Sequence, residues 1–249
     1  FQRNLNALLQ PASVAVIGAS TRPGIGNAIV QSIQRQTFQG ELSVVNKKGD
    51  DVLGSKGYTS VLDIPHGVEL AVIAVPSHSV LDVVRQCGQK GVSALICITA
   101  GFREIGGDGA VLEESLLEIV DEYNMLMVGP NCMGISNTRP DVQLNATILS
   151  NSPNSGNIAF LTQSGAIGTS IIDFSEELNL GFSIIVSLGN MAQMNPCDIL
   201  PLLESDPNTK VICMYLETIP QPRRLESIMK KMTKPVIVVK SGRSLVGSH

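Results

Sequence analysis

Short apolar runs rich in valine and isoleucine recur along the chain, separated by amphipathic stretches. Five of them lie in the first half, at 13–18, 42–46, 70–75, 94–99 and 125–129. They are continuously apolar rather than alternating with polar residues, which is typical of parallel strands buried on both faces of a sheet. The pattern therefore predicts an α/β fold, in which helices connect the strands through right-handed crossovers.

Helical periodicity fills the gaps between these runs. The apolar residues of 25–36, 79–90 and 110–123 are spaced so that each set falls on one face of a helix. The series is interrupted at 137–156, where Pro, Asn, Ser and Gly dominate. We therefore predict a first domain over 1–136 and a linker over 137–156.

The alternation resumes in a second predicted domain over 157–249. Four further apolar runs alternate with helical patterns there, so a second parallel sheet is expected. The two halves share an architecture but show no clear residue-level repeat. In chain order, the predicted strands and helices are 158–162, 165–178, 182–189, 196–204, 211–217, 223–232 and 235–242.

Composition narrows the classes of protein to consider. With 43% hydrophobic and 16% charged residues, the chain can bury a full core. Its net charge of −4 argues against a nucleic-acid partner. No apolar run reaches the roughly 18 residues of a membrane helix, and no signal-peptide pattern precedes the first strand. The five cysteines match neither a metal-binding nor a disulfide spacing. We expect a cytoplasmic protein without a membrane partner.

A glycine-rich turn follows the first predicted strand and begins the first helix. Its sequence over 18–26 is GASTRPGIG. Glycines let a phosphate approach the backbone closely, and a helix N-terminus supplies free N–H groups with partial positive charge. The spacing is not GxGxxG, so a nicotinamide dinucleotide is not the first choice. The alternative is a turn that only the fold requires.

Two more turns follow strands and offer small residues and backbone N–H groups. One is VGPNCMG at 128–134, and the other is LTQSGAIG at 161–168. In the second, Ser164 can cap a helix whose first N–H groups could hold an anion, although an ordinary N-cap is an equal alternative. Ligands of open α/β sheets collect beyond the carboxyl ends of the strands. The two turns thus indicate two α/β units that share one ligand path.

These motifs together resemble the succinyl-CoA synthetase superfamily, in particular its nucleoside-diphosphate-forming acyl-CoA synthetases. GASTRPGIG resembles their coenzyme A phosphate loop, and VNKKG at 45–49 resembles the turn after their second strand, with Lys47 in place of a proline. VPSHS, TAGF and GPNC resemble the segments that line the pantetheine path. The resemblance implies a Rossmann-like CoA-binding domain followed by a flavodoxin-like domain of the succinyl-CoA-synthetase type, both with parallel sheets. The implied CoA-binding residues are Gly18, Ala19, Ser20, Gly24, Asn46, Lys48, Val75, Pro76, Ala100, Gly101, Asn131 and Cys132.

The resemblance also assigns a role to the turn at 161–168, whose helix would receive the phosphate of a phosphohistidine. Glu217, in YLETI, resembles the glutamate of the family's YLEGI motif. A carboxylate beside an imidazole fixes its tautomer and stabilises its cationic form, so Glu217 is a catalytic candidate. The implied phosphate-binding residues are Gln163, Ser164, Gly165 and Ala166.

Two further residues have competing interpretations. Ser248-His249 matches the start of the family's phosphorylated Ser-His-Thr loop, but the approach from KSGRS is several residues too short. His249 is therefore the phosphorylated histidine of a shortened loop, a residue foreign to the natural sequence, or the trace of a lineage that lost the histidine. Cys132 could be a nucleophile, but a small residue packed near the coenzyme thiol is favoured.

The reaction implied by the resemblance is that of an ADP-forming acid–thiol ligase. Acyl-CoA, phosphate and ADP would be interconverted with the acid, coenzyme A and ATP through an acyl phosphate and a phosphohistidine. The ATP-grasp part is absent from these residues, so ATP/ADP and Mg would bind to a β subunit or C-terminal part, and the substrate would be a small carboxylic acid. An oligomer is expected.

Two other functions remain as alternatives. The first is a non-catalytic acyl-CoA-sensing region of a protein lysine acetyltransferase. The second is a nicotinamide-dependent oxidoreductase, which is disfavoured because Asn46, Lys47 and Lys48 stand where an acidic ribose ligand would be expected.

Overall fold

The five apolar runs of the first half form parallel strands of one sheet, as predicted. The structure, a computed structural model, describes residues 2–149 and 151–241. The first sheet has six strands in the order β3-β2-β1-β4-β5-β6, and all of its pairings are parallel. The short strand β3 is absent from the sequence prediction. The elements are α1 (Gln2–Leu9), β1 (Ser13–Ile17), α2 (Ile25–Arg35), β2 (Glu41–Val45), β3 (Lys56–Tyr58), β4 (Leu70–Ile73), α3 (Val80–Lys90), β5 (Ala94–Cys97), α4 (Asp108–Glu122) and β6 (Leu126–Val128).

The second half forms another six-stranded sheet, in the order β12-β11-β9-β10-β7-β8. Strands β9 to β12 are parallel, whereas β7 pairs antiparallel with both β10 and β8. The four strands predicted for this half are thus parallel, as expected. Strands β7 and β8, which the sequence did not predict, add an antiparallel edge and make the sheet mixed. The elements are β7 (Gly134–Asn137), β8 (Leu144–Thr147), β9 (Ser155–Thr162), α5 (Gly165–Glu177), β10 (Phe182–Ser187), α6 (Pro196–Ser205), β11 (Val211–Leu216), α7 (Pro222–Met229) and β12 (Val236–Lys240).

The segment 137–156, interpreted from sequence as a linker, contains strand β8 and the start of β9. Leu144 and Ala146 of β8 are fully buried in a core that also includes residues of both sheets. With only two apolar side chains on a four-residue strand, β8 leaves a weak signal among its polar neighbours. The second sheet thus begins earlier than predicted, while the predicted domain bounds of 1–136 and 157–249 remain a prediction.

Strand β1 shows why the apolar runs are continuous. Val14 and Val16 belong to one apolar core, and Ala15 and Ile17 belong to the other. Burying each valine or isoleucine side chain contributes about 1.5–3 kcal/mol. Because the strand is covered on both faces, apolar residues are favoured at successive positions. Within the described residues, no helix has the length and apolar character needed to cross a membrane.

The core of the first sheet should be sensitive to truncation. Ile96 of β5 is 0% exposed, so Ile96→Ala should lower the free energy of unfolding by about 2–5 kcal/mol because it leaves a cavity. The control is Ile105→Ala, since Ile105 is 69% exposed and should cost less than about 0.5 kcal/mol. Urea unfolding measures both, and equal losses would contradict the described packing.

Candidate functional site

A cleft of about 950 Å³ lies where the carboxyl ends of strands from both sheets meet. The first half contributes the turns after β1, β4, β5 and β6, and the second contributes the turns after β9 and β11. The two turns singled out in the sequence therefore share one cavity. Its lining residues are Gly18, Ser20, Gly24, Ile25, Gly26, Asn27, Ala74, Val75, Pro76, Ile98, Thr99, Ala100, Asn131, Cys132, Met133, Ile148, Gln163, Ser164, Gly165, Ala166, Thr169 and Glu217.

The turn after β1 is held tightly against β4. Gly18 has φ +101°, and a Cβ placed on it would lie 2.3 Å from the carbonyl oxygen of Ala74, so only glycine fits. Gly24 is different, because a Cβ there would meet no atom within 4 Å. No side chain caps the N-terminus of α2, where Gly24 is the N-cap. The first N–H groups of α2 are therefore available to an anion in the cleft.

The predicted coenzyme residues are not all at the cleft. Ser20, Gly24, Val75, Pro76, Ala100, Asn131 and Cys132 line it together with Gly18. Ala19, Asn46, Lys48 and Gly101 are not among its lining residues.

Asn46 closes the turn after β2. Its Oδ1 accepts hydrogen bonds from the backbone N–H groups of Lys48 (3.2 Å) and Asp50 (3.1 Å), and its Nδ2 donates to the carbonyl of Asp50 (2.8 Å). This arrangement is an asparagine-stabilised turn. Lys48 is exposed on that turn. The structure thus gives Asn46 a turn-forming role.

Helix α5 provides a second N-terminus at the cleft. Gly165 and Ala166, its first residues, both line the cavity. Ser164 Oγ accepts the N–H of Ile167 at 3.4 Å, a long hydrogen bond that serves as a weak cap. Thr162 Oγ1 donates to the carbonyl of Ser164 (2.7 Å) and holds the turn. The N–H groups of Gly165 and Ala166 are left to the cleft.

Gln163 connects this turn to Glu217. Its Oε1 accepts the backbone N–H groups of Glu217 and Thr218, both at 2.9 Å, and its Nε2 donates to Thr218 Oγ1 at 3.0 Å. Gln163 was predicted from the resemblance to bind phosphate, whereas its side chain is engaged with the end of β11. Gln163 reaches the end of β11 because β9, which it follows, pairs with β11. Glu217 is exposed and lines the cleft.

Cys132 is a buried thiol rather than a reactive one. Its Sγ donates to the carbonyl of Cys97 at 3.3 Å, and burial raises the pKa of Cys132 to about 12. The thiol is therefore protonated at neutral pH, and only the thiolate is a good nucleophile. This favours packing over nucleophilic catalysis. In the described part of the chain, the cysteines are free thiols.

Residues missed in the sequence connect the two halves beside the cleft. Asn190 and Gln193, in the loop after β10, bind to groups of the first half. Glu104 accepts one of these bonds. Although burial opposes it, the pKa of Glu104 is lowered by hydrogen bonds from Asn190 and from backbone N–H groups including that of Gly101. No local pattern marks these residues, because their partners are distant in sequence.

His249 lies outside the described residues, which end at 241. Its placement relative to Glu217 and the α5 N-terminus therefore stays a prediction. Glu217, the catalytic candidate that the structure describes, lines the cleft.

The fold and cleft define an α/β protein with two helix N-termini at one strand-end cavity. Two family matches agree with this class. The family described as a CoA binding domain matches residues 12–138, and the family described as a succinyl-CoA ligase like flavodoxin domain matches 155–249.

Relatives match nearly the whole chain. The 4-hydroxybutyrate–CoA ligase [ADP-forming] of Nitrosopumilus maritimus is 40% identical over 97% of this chain and 35% of its own length. The alpha subunit of acetate–CoA ligase [ADP-forming] I from Pyrococcus furiosus is 39% identical over 98% of this chain and 54% of its own. The solved dinucleotide forming acetyl-coenzyme A synthetase 1 of Ca. Korarchaeum cryptofilum, in complex with phosphate and ADP, has a TM-score of 0.93 and 39% identity over 99% of this chain and 53% of its own.

The chain belongs to the family described as a CoA binding domain. Over nearly its whole length it is similar to the alpha or N-terminal part of ADP-forming CoA ligases. It spans 35% to 54% of the length of these relatives. The predicted family and the α/β fold class, with its CoA-binding and flavodoxin-like domains, are confirmed.

The contact between Gln163 and the end of β11 gives a testable prediction. Gln163→Ala should speed amide hydrogen exchange at Glu217 and Thr218 by roughly 2- to 12-fold, because both N–H groups lose an acceptor worth about 0.5–1.5 kcal/mol. Gln163→Glu, the matched control, keeps an acceptor oxygen and should preserve protection. Unchanged exchange in Gln163→Ala would show that the amide does not hold Glu217.

Proposed function

We propose that this chain is the coenzyme-binding and phosphoryl-transfer part of an ADP-forming acyl-CoA synthetase. The observation that carries the proposal is the single cleft that combines the α2 N-terminus with the α5 N-terminus and Glu217. A coenzyme phosphate and an inorganic phosphate are both anions that such N-termini bind. One cavity of about 950 Å³ would therefore receive both the coenzyme and the phosphate.

Coenzyme A would lie along the first-half wall of the cleft. The turn from Gly18 to Gly24 would hold its phosphates, and Val75, Pro76 and Ala100 would contact the pantetheine arm. The buried Cys132 would pack beneath that path. Lys48 remains a candidate for a phosphate contact from the exposed turn after β2, because a long cationic side chain attracts phosphate without lining the cavity.

In the direction of ATP formation, the reaction would proceed in three steps. Phosphate oxygen attacks the thioester carbonyl, which releases the thiol of coenzyme A and forms an acyl phosphate. The imidazole of His249 then takes the phosphoryl group and releases the carboxylate. ADP finally takes the phosphoryl group and restores the imidazole. The α5 N–H groups would stabilise the charge of the moving phosphoryl group, and Glu217 would orient the imidazole.

The remaining components would come from elsewhere in the protein. The relatives are longer than this chain, so an ATP-grasp β subunit or C-terminal part is proposed as the partner. Nucleotide and Mg are proposed to bind to that partner. Among the described residues, no cluster of three His, Cys, Asp or Glu side chains could hold a metal ion. A small carboxylic acid as substrate, an oligomeric assembly and a cytoplasmic location complete the proposal.

The alternative of an acyl-CoA-sensing region gains no support from the relatives described above, since they are ligases. The phosphoryl-transfer machinery distinguishes the two functions. A sensing module needs the coenzyme wall of the cleft, whereas only a ligase also needs Glu217 and a histidine that can be phosphorylated.

Coenzyme binding is the first test of the proposed function. Isothermal calorimetry should show that coenzyme A binds at least about tenfold more tightly than NAD, a difference of about 1.4 kcal/mol. The reason is the strand-end cleft, whose glycine turn departs from the dinucleotide spacing. Tighter binding of NAD would contradict the assignment. If neither coenzyme A nor NAD binds, the proposed coenzyme site is refuted.

Phosphoryl transfer is the second test. In the presence of the ATP-grasp partner, the chain should acquire an acid-labile, base-stable phosphate from ATP, and His249→Asn should abolish this label. Glu217→Gln should slow labelling by about tenfold or more, as expected for the loss of a charge-assisted hydrogen bond.

The control for this test is Ser164→Ala, which should affect labelling less because the backbone N–H groups at Gly165 and Ala166 remain. Coenzyme A affinity should stay unchanged in His249→Asn. A full label in His249→Asn would remove this histidine from the mechanism, and absence of a label in the wild type would favour the sensing module.

A further inference from the structure

The loop after β10 lies directly on the turn that follows β6. The backbone N–H of Asn190 donates to the carbonyl of Pro130 (2.9 Å), and that of Ala192 donates to the carbonyl of Gly129 (3.2 Å). A Cβ on Gly189, which has φ +56°, would lie 2.3 Å from the Pro130 oxygen. The same loop begins at Leu188, whose N–H donates to Thr162 at the end of β9 (2.7 Å). The loop therefore connects the turn after β6, on the first-half side of the cleft, to the end of β9, on its second-half side.

The side chain of Asn190 binds three groups of the first half. Its Nδ2 donates to Glu104 Oε2 (2.6 Å) and to Glu113 Oε2 (2.8 Å). Its Oδ1 accepts from Asn131 Nδ2 (3.2 Å). Asn131 lines the cleft. The amide of Asn190 thus lies between the carboxylates of Glu104 and Glu113 on one side and Asn131 in the cleft lining on the other.

The two carboxylates are themselves held in place. Glu113 is fully buried on α4, and its Oε1 lies 3.1 Å from Arg103 Nε. Glu104 Oε1 accepts the N–H groups of Gly101 (2.5 Å) and Phe102 (3.2 Å). The carboxylates therefore fix the loop after β5, which also borders the cleft at Ala100.

The carboxylates determine the orientation of the Asn190 amide, and Asn190 in turn determines the orientation of the Asn131 amide at the cleft. The carboxylate of Glu104 already accepts two backbone N–H groups, and it accepts from Asn190 as well, so Asn190 must present its NH₂ group to Glu104. The same NH₂ group reaches Glu113. The Oδ1 of Asn190 must then face Asn131, which in turn must present its own NH₂ group to Asn190. The Oδ1 of Asn131 is the end of that amide left to accept from a ligand. The amide N–H groups of pantetheine could donate to this oxygen.

We propose that Asn190 is a positioning residue that sets the amide orientation of Asn131, so that coenzyme A meets a hydrogen-bond acceptor in the cleft. The inference rests on the proposed function for the identity of the ligand. It adds a second-half residue to the coenzyme site through a connection that the local sequence does not indicate.

Calorimetry with coenzyme A on single and double variants tests this. Asn190→Ala should weaken binding by roughly 2- to 12-fold, the range for one net hydrogen bond. In an Asn131→Ala background, the same change should weaken binding less than about twofold, because the residue through which Asn190 acts is gone. Equal losses in both backgrounds would indicate a merely structural role and overturn the proposal.

Gln193→Ala is the matched control on the same loop. Gln193 Oε1 accepts the N–H of Met127 on the edge strand β6 (2.7 Å), and its Nε2 donates to Asp121 Oδ1 (3.2 Å). This variant should loosen the same interface and lower the melting temperature, but leave coenzyme A affinity within about twofold of the wild type. A loss in Gln193→Ala equal to that in Asn190→Ala would attribute the effect to the loop as a whole and contradict the proposal.

A ligand-free readout separates this inference from the proposed function. In nuclear magnetic resonance spectra, the side-chain NH₂ of Asn131 should show slowed solvent exchange in the wild type and in Gln193→Ala, and faster exchange in Asn190→Ala. Unchanged exchange in Asn190→Ala would overturn the positioning role even if coenzyme A binds. Failure of the wild type to bind coenzyme A, with the exchange pattern as expected, would refute the proposed function alone.

Discussion

The N-termini of helices α2 and α5 face one cavity because the carboxyl edges of two sheets meet there. Each N-terminus carries N–H groups that its own helix cannot satisfy, together with the positive end of a helix dipole. One such site binds an anion weakly and with little selectivity. Two of them at one cleft favour a ligand with separated negative groups, which is the basis of the reaction we propose.

The relative placement of these two sites depends on close backbone approach. At Gly18 and at Gly189, a single Cβ would lie 2.3 Å from a carbonyl oxygen of a neighbouring turn. The loop at 188–195 then adds backbone bonds to the turn after β6 and side-chain bonds to α4 and the loop after β5. The apolar core also runs through both sheets, so the halves of the cleft are held by packing as well as by polar contacts.

The sequence predicted those parts of the structure that arise from local or periodic patterns. Runs such as 70–75 are apolar on both faces because β4 is covered on both faces, and the turn at 18–26 has its glycines where β1 passes into α2. Strand β8 was missed because all four of its residues are buried but only two of them are apolar, which leaves no clear period.

The remaining differences at the site arise from tertiary contacts. Gln163 was assigned to phosphate through its place in a motif, yet its amide is engaged with the neighbouring strand end, which only the pairing of β9 and β11 places beside it. Asn46 is a local exception, because it matches a family motif but its side chain closes its own turn. Asn190 reaches Glu104 and Glu113 across more than seventy positions, and no spacing in the sequence could indicate that contact.

The most direct test is an experimental structure of the protein with coenzyme A and inorganic phosphate bound together. The account predicts the coenzyme diphosphate at the turn from Gly18 to Gly24, and the inorganic phosphate on the N–H groups of Gly165 and Ala166. The thiol should lie in the same cleft, between these two sites. Coenzyme bound outside this cleft, or phosphate held away from α5, would contradict it.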